Sequence, residues 1–439
     1  MYRIVILTQE EQVTLCRSTR VRERTLKMIN GVPFYSEGKD LLSQARRLWD
    51  KMTLAQAKAQ LEKAENAFLN PNLHAFLKWK YKDEPVLERA GKIYPVSIYP
   101  APVSQRLLPD SVLIQPLESN FDDNDLKPKD ARYRALKERV TPTLKRVDRI
   151  SFTMKELIIE DQIGMRCGLG SYYRAFDTCD SLEWEILSLA TDLVNSDVES
   201  FKRFDTKLVL RNALHAQVDN PVRNGSHRSA AIGVSTLVAY HDGGTTNFLL
   251  KKRSETGVAV HANLVHVIPS HMFQPGTEFL NEEFSIVHDF KREYLEELFG
   301  RDEPESGVLD PRYFYGDPKL RYLQNLLNDN EADLYLTGIT VNLLNLRPEV
   351  CLLLLIRTED WYLHHSQNPS DELRFKLNPE YAIMSDSPLT KGVQKLVGRV
   401  RYKVIDDEQI KGAPLSPGDM VPPGAAAFWL GRDTLRHVL

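Results

Sequence analysis

The run Leu352-Leu353-Leu354-Leu355 is apolar at every position, and a strand with no polar face belongs at the centre of a sheet. It has companions. Val234 to Tyr240 reads as a strand, His241-Asp242-Gly243-Gly244 as a turn, and Asn247-Phe248-Leu249-Leu250-Lys251 as its hairpin partner. A third apolar run, Leu264 to Ile268, stops at Pro269 and leads into a loop bearing Gly276. Further on, Leu334 to Thr340 and Val350 to Ile356 supply later strands.

One helix separates these two sets of strands. At about 100° per residue, Ile286, Phe290, Tyr294 and Leu298 form an apolar stripe, and Glu293, Glu296 and Glu297 fall within an arc of roughly 100° beside it. Carboxylates at i, i+3 and i+4 project from one side of a helix, where they can share a hard divalent cation. Such cations usually serve phosphate chemistry. Arg292, four residues before Glu296, offers the competing arrangement of an ion pair on a solvated face.

The stretch from Gly276 to Gly300 resembles the box of the Nudix superfamily, Gly-x5-Glu-x7-Arg-Glu-U-x-Glu-Glu-x-Gly-U, in which U is a bulky aliphatic residue. Gly276, Glu282, Arg292, Glu293, Glu296 and Glu297 lie along that pattern. The core Arg-Glu-x-x-Glu-Glu is met. Nine residues rather than seven separate Glu282 from Arg292, Tyr294 stands where an aliphatic residue is usual, and Gly300 comes one position late. Taking Glu283 as the first glutamate instead leaves one extra residue on either side of it.

The resemblance implies an α/β (α+β) fold over roughly residues 230–439, a mixed sheet sandwiched by helices. It further implies a hydrolase that uses Mg²⁺ or Mn²⁺ to cleave the diphosphate of a nucleoside diphosphate linked to another group. Glu293, Glu296 and Glu297 match the metal ligands. Glu296 and Glu297, together with Arg292, make up the expected catalytic set. Arg292 matches the partner of the box's first glutamate, and Gly276 and Glu282 support the box.

A base is expected outside the box on a later loop, where Glu349, Glu359, Asp371 and Glu372 are available. Glu372 follows the polar stretch His364 to Pro369 and is the candidate taken. Lys251, Lys252 and Arg253 can meet substrate phosphate, with Lys252 and Arg253 the candidates taken, in a place where all three equally blunt a sheet edge. His261, His266, His271 and His288 form no HExxH pair and are left out of the ligand set. The altered loop spacing keeps open a second reading, a nucleotide sensor on the same fold with little or no turnover. A third, a DNA-binding regulator, has no helix-turn-helix or finger signature behind it.

The remaining chain reads as accessory structure. Residues 1–120 form a helix-rich N-terminal region, with a helical pattern over 39–69, a short helix from Leu73 to Tyr81, and an extended proline-rich arm from about residue 92. Residues 121–229 form a second unit or linker, with an amphipathic helix from Leu182 to Val194 and glycine turns between Gly164 and Gly170. Residues 230–439 form the Nudix-like domain. The long N-terminal region offers a surface for a homodimer.

A formal net charge of −3 and a pI near 6.4 give no general attraction to nucleic acid or anionic membrane, so neither is expected as a partner. Cys16, Cys167, Cys179 and Cys351 show no CxxC spacing, which argues against structural zinc and a disulfide framework. No apolar stretch approaches the roughly 20 residues that span a bilayer. A cytoplasmic enzyme acting on a nucleotide-type small molecule is the expectation.

Overall fold

The computed structural model describes residues 67–102, 106–107, 114–116, 148–252, 264–301, 310–370, 372–376, 400–401 and 415–439, with a few positions between 53 and 59. Strands β6 (Gly233–Asp242) and β11 (Pro348–Ile356) run parallel, with Leu237 opposite Leu353. Around this pair a mixed sheet assembles in the order β1 (Val86–Arg89), β2 (Lys92–Pro100), β10 (Ala332–Asn342), β11, β6, β7 (Thr245–Lys252) and β12 (Val400–Arg401). The short β8 (Val265–Val267) pairs with β7, and β9 (Ser270–Met272) pairs with β6. The class is mixed α/β.

The leucine run of β11 sits between β10 and β6, and Leu352, Leu353, Leu354 and Leu355 are all fully buried. Strand alternation divides them between two cores. Val234, Val238, Leu352 and Leu354 join the core that contains Phe290, Tyr294 and Leu298 of the helix Ile286–Phe299. Leu237, Ala239, Leu353 and Leu355 join the core that contains Ala427, Phe428 and Leu435 of the C-terminal helix Pro422–Val438. Each face of the sheet is thus covered by a helix. Among the described residues, no helix is long and apolar enough to cross a membrane.

The proline-rich stretch does not begin as an arm. Its first part, Lys92–Pro100, is β2, and Val96 to Pro100 pair with β10. Pro95 lies just outside that ladder, where its missing N–H breaks no bond with β10, and its carbonyl accepts from Leu343 N at 2.9 Å. The sheet therefore draws on both ends of the described chain, and Leu48–Leu439 forms one compact unit that runs across the expected boundaries at 120 and 229.

A second, three-stranded sheet holds β3 (Ile114–Pro116), β5 (Ile163–Ser171) and β4 (Ile150–Ile159) in that order. The glycines from Gly164 to Gly170, expected as turns, lie instead within β5. At Gly170 the neighbours require glycine, because an added Cβ would run into Ser229 Oγ and Thr153 Cγ2. Helix α1 (Pro71–Lys80) occupies the place expected for Leu73 to Tyr81, with Asn70 capping it by accepting from Asn72 N. Helix α2 (Ser181–Leu189) is shorter than the expected Leu182–Val194 and closes in a single tight turn, Ala190–Asp192. Most of the helical pattern over 39–69 lies outside the described residues.

Strand β4 reaches the loop that precedes the acidic helix. The Phe152 ring lies 4.5 Å from that of Phe273 and 4.8 Å from that of Phe284, and Phe152 N donates to Phe273 O at 3.0 Å. These aromatic contacts clamp both ends of the loop that bears Gly276.

Candidate functional site

The acidic helix, α3 (Ile286–Phe299), starts at Ser285, whose Oγ accepts from His288 N, and stops at Gly300 in the left-handed conformation. The predicted stripe of Ile286, Phe290, Tyr294 and Leu298 is buried. The acidic edge beside it is not solvated. Glu293 is 7% exposed and Glu297 2%, while Glu296 is half-buried, so two of the three glutamates are turned into the protein. A carboxylate taken out of water needs a cation or donors, and each has found them.

Arg292 is the hub. Its Nη2 donates to Asp289 Oδ1 at 2.6 Å, to Glu293 Oε1 at 3.1 Å and to the Gln274 carbonyl at 2.9 Å, while Nη1 reaches Glu283 Oε2 at 3.3 Å. Glu283 in turn accepts from Gly276 N at 3.2 Å and from Thr277 Oγ1 at 2.8 Å. One guanidinium therefore fastens the loop to the helix. A Cβ at position 276 would lie 2.9 Å from Arg292 Nη1, so glycine leaves room for that guanidinium.

The loop glutamate that Arg292 holds is Glu283, which corrects the expectation for Glu282. Glu282 is exposed, whereas Glu283 is 2% exposed. The short helical turn Leu280–Glu283 accounts for this, because adjacent residues on a helix point about 100° apart and only one can face Arg292.

Glu297 is held differently. Lys251 Nζ, from β7, contacts its carboxylate at 2.8 and 2.9 Å, and Ser270 N donates to Oε2 at 2.9 Å. The strand that carries Lys251 is the one expected to present Lys252 and Arg253 to substrate. Lys252 closes β7 opposite Val265, and Arg253 lies outside the described residues.

Beside this pair, His271 of β9 brings its Nε2 within 2.7 Å of Asp289 Oδ2 and its Nδ1 within 3.9 Å of Glu293 Oε2. Ligand atoms of His271, Asp289 and Glu293 lie within 4.8 Å of one another, a grouping capable of holding a metal ion. Of the expected trio of Glu293, Glu296 and Glu297, this grouping contains Glu293. Burial by itself would depress the His271 imidazole, but Glu293 and Asp289 outweigh it and push it up to about 9. Burial also raises the Glu293 carboxyl, against the opposing pull of His271 and Arg292.

The expected outside bases stand on β11 and the segments after it. Glu349 accepts from Ser235 Oγ at the start of the central parallel pair, and Glu359 accepts from Gly244 N at 3.4 Å in the β6–β7 turn. Glu372 is exposed in a turn, and Asp371 lies outside the described residues.

Sequence reasoning passed over Asp289, weighed Lys251 only as a contact for phosphate, and left His271 out of the ligand set. Asp289 carried a usable signal, since it precedes Arg292 by three residues and Glu293 by four on one helix face. His271 carried none, because only the pairing of β9 with β6 brings it to α3.

No family model matches the chain, and no curated protein matches it.

Proposed function

We propose that the chain is a Nudix-type hydrolase, dependent on Mg²⁺ or Mn²⁺, that cleaves the diphosphate of a nucleoside diphosphate linked to another group. The observation that carries this reading is the Arg292 guanidinium, which joins Glu283 of a glycine-bearing loop to Asp289 and Glu293 of an acidic helix. That is the relationship the box resemblance implies between its arginine and its first glutamate. The sheet covered by a helix on each face is in keeping with the sandwich that the resemblance implies.

The donor set fits a divalent cation. Four buried carboxylates, Glu283, Asp289, Glu293 and Glu297, are served by Arg292 and Lys251, and Glu293 Oε2 faces the buried Nδ1 of His271, which has no hydrogen-bond partner. Glu293 and Glu296 would hold the ion. When bound, it would neutralise diphosphate oxygens and lower the pKa of an attacking water. Arg292 keeps the Glu293 carboxylate in one orientation by binding Oε1, and Lys251 does the same for Glu297. Both act as positioning residues.

The test is a product screen. ADP-ribose, dinucleotide cofactors, nucleotide sugars and nucleoside triphosphates are incubated with the full-length protein and Mg²⁺ or Mn²⁺, and nucleoside monophosphate and phosphate products are followed. Cation-dependent product from at least one class is the expected outcome. Absence of product from all of them would remove the reading.

The Lys251–Glu297 pair favours a second reading, because it already neutralises one of the three box glutamates. On that reading the chain is a nucleotide sensor, and the same screen would show tight nucleotide binding with no cation-dependent product.

A further inference from the structure

Asp289 and His271 make a buried pair whose polarity is fixed by chemistry. A carboxylate only accepts, so the 2.7 Å contact requires a proton on Nε2 and makes Nδ1 the ring nitrogen that a metal ion can take. The other oxygen of Asp289 and Oε1 of Glu293 are both engaged by Arg292. What remains turned toward each other are His271 Nδ1 and Glu293 Oε2, 3.9 Å apart, on side chains 7% and 9% exposed. His271 Nδ1 has no hydrogen-bond partner, and leaving such an atom buried and unmatched is unfavourable.

We infer that His271 Nδ1 and Glu293 Oε2 are a mixed nitrogen–oxygen ligand pair for a divalent transition metal, for which Mn²⁺ is the paramagnetic probe, with Asp289 orienting the imidazole. A carboxylate that accepts from one ring nitrogen while the other binds metal is the usual way a protein fixes a histidine ligand. Imidazole selects for the ion as well. Mg²⁺ and Ca²⁺ prefer ligands that are all oxygen, whereas imidazole suits Fe²⁺ and Zn²⁺, and Mn²⁺ takes it more weakly than they do. The two ligands stand on β9 and α3, which Glu297 already joins through Ser270 N, so their separation is set by packed elements rather than by a loop. This assignment deepens the hydrolase reading and rests on it for what the ion does, not for whether the ion binds.

The test uses full-length protein freed of metal with EDTA and titrated with Mn²⁺ alone, followed by electron paramagnetic resonance. His271→Gln is the informative variant, because its side-chain amide keeps a donor to Asp289 and removes the Nδ1 ligand. Wild-type protein should bind Mn²⁺ and release it to Mg²⁺ only in large molar excess. His271→Gln should weaken Mn²⁺ binding by about tenfold or more, measured at a temperature at which circular dichroism shows the metal-free variant folded. Spin-echo modulation from a coordinated imidazole nitrogen should appear in Mn²⁺-loaded wild type and vanish in Glu293→Gln.

Equal Mn²⁺ affinity in His271→Gln, or displacement by Mg²⁺ at parity, would overturn the assignment. Should His271→Gln not fold, a missing nitrogen signal in wild type would overturn it alone, and a signal lost in Glu293→Gln would uphold it. The two proposals fail separately. Mn²⁺ held through His271 without diphosphate cleavage upholds the ligand pair and removes the hydrolase, whereas cleavage with Mn²⁺ binding indifferent to His271 does the reverse.

Discussion

Lys251 Nζ stands 2.8 Å from Glu297 Oε2, with the two side chains only 1% and 3% exposed, so a strand and the acidic helix are pinned together by a charge pair out of water. Removing one member of such a pair leaves the other charged and unmatched, which is far more costly than removing both. Lys251→Ala should therefore destabilise the protein by about 3–5 kcal/mol, and Lys251→Met with Glu297→Leu should recover most of that loss. Urea denaturation of the three proteins checks this. A single variant as stable as wild type would show that the pair is not formed.

The two candidate loop glutamates separate cleanly by substitution. Glu283→Gln removes the charge that faces Arg292 and should lower stability by about 1–3 kcal/mol along with any cation-dependent turnover. Glu282→Gln, at an exposed position, should fall within about 0.5 kcal/mol of wild type. Denaturation midpoints read both. The opposite ranking would return Glu282 to the place that the box spacing first gave it.

Acid should loosen the fold through buried neutral histidines. Burial holds His74 and His365 down at about 4, against an ordinary 6.5, with the Phe68 carbonyl at 3.1 Å and the Leu373 carbonyl at 2.8 Å as their partners. The folded state thus binds these protons less readily than the unfolded one. Their stabilisation is complete above pH 6.5 and is lost as pH falls from 6.5 toward 4, by up to roughly 3 kcal/mol each. His365→Asn and His74→Gln each keep an amide donor for the carbonyl and should flatten the stability profile in that window, as measured by unfolding at fixed pH values. An unaltered slope in both variants would contradict the assignment.

Gly300 closes α3 at φ 60° and ψ 34°, and a Cβ there would lie 2.9 Å from the Lys376 carbonyl oxygen. An L side chain meets both left-handed strain and a backbone clash at this position. Gly300→Ala should cost about 1–3 kcal/mol, visible as a lowered thermal midpoint. The same residue explains the late glycine of the box, which serves to end the helix.

Much of the sheet was legible because its strands are apolar in ways only strands tolerate. Leu352 to Leu355 announced a central position, and the turn at Gly243-Gly244, with φ of 61° and 70°, was written in residues that accept that conformation. β2 escaped because its prolines read as a connector, although Pro95 sits just beyond the β10 ladder and Pro100 at the strand's end. β5 escaped because a glycine such as Gly170, which admits Ser229 and Thr153, looks like a turn glycine when its neighbours are unknown.

At the candidate site, residues on one helix could be read together and residues on different strands could not. Helical spacing brought out Arg292 and Glu293. Lys251 and His271 come from β7 and β9, and their positions follow from strand pairing over long sequence separations. Glu282 and Glu283 were separable only by knowing which way a four-residue helical turn faces.

Nucleoside monophosphate release by the full-length protein from a panel of diphosphate-linked nucleotides, with and without Mn²⁺, tests the central claim most directly when run beside Glu296→Gln. The account predicts release that requires the cation and falls by about 100-fold or more in the variant, with the melting temperature unchanged. Release that persists undiminished in Glu296→Gln, or no release from any nucleotide in the panel, would contradict it.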